Sequence, residues 1–428
     1  MFLAIAWSVA GPARAADRHI EVVQVEGAID PVVADLITTT LRRGPANGAS
    51  LVILQIDSDG ALDTDPAALL RAVKASPVPV ATWVGPAPSS ARGAAAGLLV
   101  AAHAAAISPG SAVGPAAPLR LDPGAADRGE RAVGILARSS RLPRDQVERL
   151  ARQRFSADAA VKTGLADFLA PTIGDVVVGL NGRPVRTAAG EVRLSTTKVV
   201  QTDEGPRQTA NQPVRFRKLS ALDGVQHSLT SPAIAYLLLI VGLALIVFEF
   251  FTVSIGLASF VGAACLVGSF FGFSHLPVAW WAVALILLST FGFAVDIQAG
   301  HLGFWTGVGV IGLLAGSLGL YGGSPLLNLT WWQVALGVVS QSVFMLSGMT
   351  VAVRNRFSLP TVGRDSMIGE VGEARTDLNP DGVVVVRGAP WRARTLRGRP
   401  VAQGGPVRVV AVDQLVLEVE PDGSGGSS

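Results

Sequence analysis

The chain has 428 residues, of which half are hydrophobic and only 16% are charged, with a mean hydropathy of +0.45. A soluble globular protein carries about 25% charged residues, so a chain lying wholly in water is excluded, and a net charge of +3 implies no polyanionic partner. The single cysteine, Cys265, excludes an intrachain disulfide framework and sits in an apolar run as a small hydrophobe.

The N-terminus, MFLAIAWSVAGPARAAD, has an apolar run from Phe2 to Ala10 ahead of Ala13-Arg14-Ala15, a small-x-small cleavage pattern. It lacks a positive segment before the run, and residues 1–16 are read as a signal-peptide-like segment. From His19 the pattern predicts an α/β domain. Strands are expected at Ile20–Gly27, Leu51–Asp57 and Val78–Val84, and helices at Pro31–Arg43, Pro66–Ala75, Ala94–Ala105, Ala132–Ser140 and Arg144–Arg152. Alternation of this kind argues for a layered domain over 17–171. A polar insert follows, with an Asn-Gly turn in LNGRPV (Leu180 to Val185) expected between short strands.

Phe216, Leu219, Leu222, Val225 and Leu229 then recur at three- and four-residue steps, behind Arg215, Arg217 and Lys218. Two readings stand for this helix: lying on a membrane surface, or packed on the α/β domain. From Ile234 to Val353 the apolar density is that of bilayer spans. About five are expected, near Ile234–Phe251, Val253–Phe273, Val278–Val295, Phe304–Tyr321 and Trp331–Val353. Tryptophans at 280, 281, 331 and 332 flank the connectors, where an aromatic belt belongs.

The block repeats. Leu243–Phe271 lies over Thr290–Leu318, placing Glu249 on Asp296 and Gly256 on Gly303. A carboxylate at membrane depth is costly unless paired or near water. The pair therefore reads either as a polar pathway, making the chain a small transporter, or as acids closing tight inter-helix turns. The absence of Lys or Arg inside the block favours the turns.

After Arg354 and Arg356 come MIGEVGEA, DGVVVVRG, WRARTL and PVRVVAVDQLVLEVEP, five short strands that predict a small all-β barrel over 354–421, before a disordered tail at 422–428. An exported N-domain followed by five spans puts the C-terminus in the cytoplasm, and Arg354, Arg356 and Arg364 agree; Arg215, Arg217 and Lys218 pull the other way. Such a barrel has an OB-like pattern, and OB folds often hold nucleic acid. Only Trp391 interleaves with its arginines, however, and stacking platforms need several aromatics, so no nucleic-acid partner is expected.

This order of parts resembles the NfeD family: an export segment, an α/β domain, an LNGR-type insert, the PAIAYLLL lead-in (Pro232 to Leu239), paired spans and a terminal barrel. The strongest local matches are SPVPVATWV (Ser76 to Val84), AHAAAISPGSAVGPAAPL (Ala102 to Leu119) and GRPVAQGGPVRVVAVDQLVLEVEP (Gly398 to Pro421). The resemblance implies a multidomain protein: a ClpP/crotonase-like domain of the Ser–Lys peptidase type, an α-helical transmembrane block and an OB-fold NfeD domain. It also implies stomatin-like (SPFH) partners, membrane lipid around the spans, a homo-oligomer, and a groove able to hold a peptide.

Against the family pattern the catalytic set looks degenerate. Active members read like G-A-R-A-A-S-A-G, with the serine as nucleophile; here Ser90-Ala91-Arg92-Gly93-Ala94-Ala95-Ala96-Gly97 places Ala95 there. A methyl group forms no acyl intermediate. The base should be a lysine within Asp122–Val133, yet none occurs between Lys74 and Lys162, and the guanidinium of Arg128 or Arg131 never deprotonates. The oxyanion turn, D-T-P-G-G in the family, reads Asp57-Ser58-Asp59-Gly60-Ala61, so Gly60 and Ala61 form a degenerate version of it. Ser89, Ser90 and His103 are the substitutes to consider, and an active serine endopeptidase of this class is the alternative reading. His19, His103, His227, His275 and His301 are scattered without ligand spacing. No metal, cofactor or catalytic residue is expected, and the favoured reading is a pseudo-peptidase joined to an adaptor barrel in membrane-protein or lipid-domain quality control.

Overall fold

A computed structural model describes residues 18–122, 129–202, 205–252, 256–299, 303–322, 327–349, 364–396, 399–413 and 415–423. The signal-like segment, Arg354, Arg356 and most of the terminal tail lie outside them. The chain divides into two compact units, 1–350 and 351–428.

The first unit begins with β1 (His19–Ile29), α1 (Pro31–Asn47), β2 (Ala49–Ala61), α2 (Pro66–Lys74), β3 (Val80–Val84), β4 (Ser90–Ala91), α3 (Gly93–Ala101), β5 (Ala104–Ile107) and β6 (Ala112–Val113). Next come α4 (Gly129–Ser139), α5 (Arg144–Arg152), β7 (Phe155–Ser156), α6 (Ala157–Lys162), β8 (Phe168–Leu169) and α7 (Ile173–Leu180). Strands β1, β2, β3, β5 and β8 pair in parallel, in that order. The far end of β2 also carries β4, then β6 and β7.

The apolar runs are continuous because the sheet is covered on both faces. Val23, Val52, Leu54 and Ile56 enter a core shared with α1 to α6, while the alternate residues Val22, Leu51, Ile53 and Trp83 enter a second core under α7. Asp30 and Asp65 cap α1 and α2 through their side chains, and a proline begins each helix.

The helix expected over Ala94–Ala105 stops at Ala101. Ala104–Ile107 is instead β5, pairing with β3. Alanine's helix propensity yields here to the vacant edge of a parallel sheet. In LNGRPV the Asn-Gly turn follows helix α7 rather than a strand.

The stretch after Pro171 adds hairpins β9 (Pro184–Thr187) with β10 (Gly190–Arg193), and β11 (Thr197–Thr202) with β12 (Gly205–Ala210). Strand β13 (Val214–Arg217) then rejoins the main sheet, parallel to β1, and leads to α8 (Ala221–Leu229).

Among the described residues five helices follow: α9 (Pro232–Phe251), α10 (Leu257–His275), α11 (Trp280–Ala299), α12 (Phe304–Gly319) and α13 (Trp331–Val343), the last continuing as a π-helical turn over Phe344–Gly348. The first three are long and apolar enough to cross a bilayer. Helix α12, with 16 residues, spans about 24 Å at 1.5 Å per residue, short of a ~30 Å hydrocarbon core.

The sequence repeat is also a packing repeat. Gly262 lies against the carbonyl of Gly242, and Gly309 against that of Ser289 at the equivalent place in the second hairpin. Ser269 donates to the carbonyl of Ala235, and Gly316 packs on that of Ala282. Small residues let these backbones close up.

The second unit is a closed barrel of β14 (Val371–Ala374), β15 (Asp381–Val386), β16 (Ala389–Thr395), β17 (Pro406–Asp413) and β18 (Val416–Pro421), in the order β14-β15-β16-β18-β17. Val384, Val386, Ala393, Val407, Val409, Leu417 and Val419 fill its interior.

Candidate functional site

The residues expected at a peptidase centre converge where β2 ends and α3 begins. Arg92 is extended and Gly93 adopts φ +50°, a conformation that favours glycine. A Cβ on Gly93 would lie 2.8 Å from the Leu119 carbonyl oxygen. Ala95, in the first turn of α3, is fully buried in the main core.

The groups that would stabilise an oxyanion are already engaged. The Gly60 N–H donates to Ser58 Oγ at 3.4 Å and the Ala61 N–H to the Leu119 carbonyl at 3.2 Å. The Ala94 N–H donates to that same carbonyl at 2.9 Å, and Leu121 returns its N–H to Ala61 at 2.7 Å. The segment before Leu121 thus lies across the space between the turn and the helix. An oxyanion hole needs donors aimed at an open position; here the Gly60 N–H is aimed at the Ser58 hydroxyl and those of Ala61 and Ala94 at the Leu119 carbonyl.

Asp59 is exposed and pairs with Arg92, Oδ1 to Nε at 3.7 Å, so its charge is partly offset at the surface. Of the substitutes, Ser89 Oγ donates to the Pro86 carbonyl. Ser90 Oγ lies 3.4 Å from Asp59 Oδ1. His103 follows the far end of α3, where its Nδ1 accepts from the Val80 N–H at 2.9 Å. Burial holds the His103 pKa below its ordinary value. Among the described residues, which leave out His301, no histidine is bonded to Ser89 or Ser90. Of the arginines in the base region, Arg131 is an exposed residue of α4, and Arg128 lies outside the described residues.

Asp59 and Leu121 also line a cavity of about 410 Å³ whose opposite wall is His227, Pro232, Thr330 and Gln333. The approach to the β2–α3 junction thus opens toward the membrane helices. Beside it lies a cluster that sequence reasoning missed. Asp30, fully buried, accepts from the Val33 N–H at 2.9 Å, from Thr230 Oγ1 at 3.0 Å and bonds His227 Nδ1 at 2.8 Å. Burial raises the Asp30 pKa, but the bonds from His227, Val33 and Thr230 outweigh it and hold the carboxyl below its ordinary value. The bond to Asp30 raises the His227 pKa, against an opposing effect of burial. Nearly two hundred positions separate the partners, so no local pattern announces them. A second such contact, His275 Nδ1 to Asp63 Oδ2 at 2.8 Å, ties the C-terminal end of α10 to the same domain.

In the membrane block, Glu249 accepts the Gly256 N–H at 2.8 Å. Asp296 accepts the Gly303 N–H at 2.8 Å, together with the N–H and hydroxyl of Thr306 at 2.7 and 2.8 Å. Each acid closes the turn of its own hairpin. Among the described residues no three His, Cys, Asp or Glu side chains gather as metal ligands. On the barrel, Arg394 and Arg408 pair with Asp381 and Asp422 at 2.7 and 3.1 Å, and Arg387 with Glu370. Trp391 is half-buried against the barrel core.

Comparison with known proteins matches residues 233–351 to the NfeD integral membrane domain and 364–421 to the NfeD-like C-terminal, partner-binding domain. The membrane-bound protease PH1510 of Pyrococcus horikoshii is 24% identical over 426 residues, covering 94% of this chain and 93% of that protein. Among solved structures, the 1510-N membrane protease specific for a stomatin homolog from Pyrococcus horikoshii is 19% identical, covering 50% of this chain and all of that one, with a TM-score of 0.41. The C-terminal domain of stomatin operon partner protein 1510-C from the same organism is 39% identical, covering 14% of this chain and 95% of that one, with a TM-score of 0.14.

Proposed function

We propose that this membrane protein, which carries the NfeD integral membrane domain and the NfeD-like C-terminal domain, is a non-catalytic member of a protease-like lineage. Its barrel recruits a stomatin/SPFH-like partner, and its α/β domain works as a degenerate peptidase in membrane-protein or lipid-domain quality control. The observation that carries this reading is Ala95 at the nucleophile position, beside a turn whose donors at Gly60 and Ala61 are spent on Ser58 and Leu119. The lysine-free stretch from Lys74 to Lys162 supports it. The alternative, an active serine endopeptidase, draws on the 24% identical relative named as a protease.

The test is turnover of apolar peptides by the purified full-length protein, together with labelling by a serine-reactive fluorophosphonate. No turnover and no label are expected. Turnover that survives purification and is lost on mutating Ser89, Ser90 or His103 overturns the reading. Five crossings, with 17–231 outside the cytoplasm and 354–428 inside, are part of the same proposal. In their support, both the C-terminal end of α10, through His275 and Asp63, and the start of α13, through Thr330 and Gln333, lie against the α/β domain.

A further inference from the structure

We infer that α8, with the strand end that feeds it, is an interfacial membrane anchor whose apolar stripe enters the headgroup region and whose basic flank holds anionic lipid headgroups. At 100° per residue, Leu222, Val225 and Leu229 share one face of α8 and His227 lies nearly opposite. His227 is turned to Asp30, at the start of α1, which commits that side of the helix to the α/β domain. The other side is open: Leu222 is 68% exposed and Val225 56%, and Phe216 in the preceding strand is 51% exposed.

The end of the stripe already meets the membrane domain. Leu229 packs over Gly268 and Gly272 of α10, so closely that a Cβ on Gly272 would lie 2.2 Å from the Leu229 carbonyl oxygen. Only Thr230 and Ser231 separate α8 from α9, a membrane-crossing helix. Leu222, seven residues before Leu229, is therefore about 10 Å from a contact with a spanning helix. That distance is comparable to the depth at which interfacial helices seat their apolar face.

Charge fits the same occupant. Arg217 is paired with Glu21, whereas Arg215 and Lys218 are exposed beside Phe216, and the acid of this helix, Asp223, is bonded to Ser220 at its N-cap, away from the stripe. Apolar side chains behind a basic edge, joined to a bilayer span, make a surface for an anionic bilayer interface.

The test uses full-length protein in a Cys265→Ala background, reconstituted in phosphatidylcholine nanodiscs with and without phosphatidylglycerol. Single nitroxide labels are placed through Leu222→Cys, Val225→Cys and, as an aqueous control on α1, Arg42→Cys. Power-saturation EPR with oxygen and a water-soluble nickel complex should give an oxygen-to-nickel accessibility ratio several-fold higher at 222 and 225 than at 42. The ratio should rise further with phosphatidylglycerol, and that rise should vanish in an Arg215→Ser, Lys218→Ser background. Labels at 222 and 225 as nickel-accessible as the control overturn the anchor. Labels shielded from both reagents also overturn it, assigning the face to a protein contact such as a second copy. A ratio indifferent to phosphatidylglycerol in the unsubstituted background overturns the headgroup site.

Discussion

At Ala95 one side chain and its surroundings bear on the proposed loss of peptidase chemistry by different routes. Restoring the hydroxyl through Ala95→Ser returns neither a base nor free oxyanion donors, so fluorophosphonate labelling is expected to stay at background. The new hydroxyl enters an apolar core, and the melting temperature should fall by the equivalent of about 1–3 kcal/mol. Labelling of Ala95→Ser would show that the Leu119 carbonyl moves aside on demand.

His227 and Asp30 give a pH signature with two edges. The raised His227 pKa means its contribution is full below its unfolded value and is lost as pH rises through the folded one. The lowered Asp30 pKa means its contribution is present above the unfolded value and is lost as pH falls through the folded one. The bond is therefore worth most between about pH 4 and 6.5, bounded by the ordinary values of the two groups. His227→Gln should cost up to about 1.5–3 kcal/mol in that window and progressively less above it. Thermal melts of the two proteins across pH 5 to 9 check this, and a constant gap would assign His227 to packing alone.

At the scale of elements, the paired hairpins α9–α10 and α11–α12 place a carboxylate at the same turn. Asp296 gathers two backbone N–H groups and the Thr306 hydroxyl. Asp296→Ala is expected to strand these donors and lower detergent-phase stability by about 1–3 kcal/mol, while Asp296→Asn, which keeps an acceptor, recovers most of it. Ion flux through reconstituted vesicles should be absent in all three proteins. Flux that disappears only in Asp296→Ala would return the acid to a transport pathway.

In the barrel, β16 turns Trp391 inward beside Ala393 and Thr395, and Arg392 and Arg394 outward. Trp391→Ala is accordingly expected to loosen the barrel rather than strip a partner contact. Ile368, Val371 and Val410 are exposed around the β14–β17 pairing. They are the better candidates for partner contact, so Val371→Asp with Val410→Asp should weaken capture of an SPFH partner in a crosslinking pull-down while leaving the isolated barrel's melt within about 0.5 kcal/mol.

For the whole molecule, the expected division of labour is an outer domain set by the membrane and an inner domain that recruits. Deleting 360–428 should abolish partner capture and leave the protein in the membrane, and reporter fusions at Thr209 and Gly425 should give opposite signals. Full capture by the truncated chain would move the contact to the spans, and matching reporters would require an even number of crossings. Much of this architecture is legible in the residues themselves. Continuous apolar runs such as Leu51–Ile56, the apolar lengths after Pro232, and the run of valines after Asp381 are local patterns, legible in a short window of sequence. The alanine at position 95 is equally local, being a matter of composition at one position. Tertiary structure alone decided the rest. Ala104–Ile107 became a strand because β3 offered an edge, and Ala61 lost its donor to the carbonyl of Leu119, some sixty positions away. Asp30 found His227 only when the juxtamembrane helix came back over α1. These outcomes depend on which distant groups share a small volume once the chain is compact, and no window of sequence carries that information.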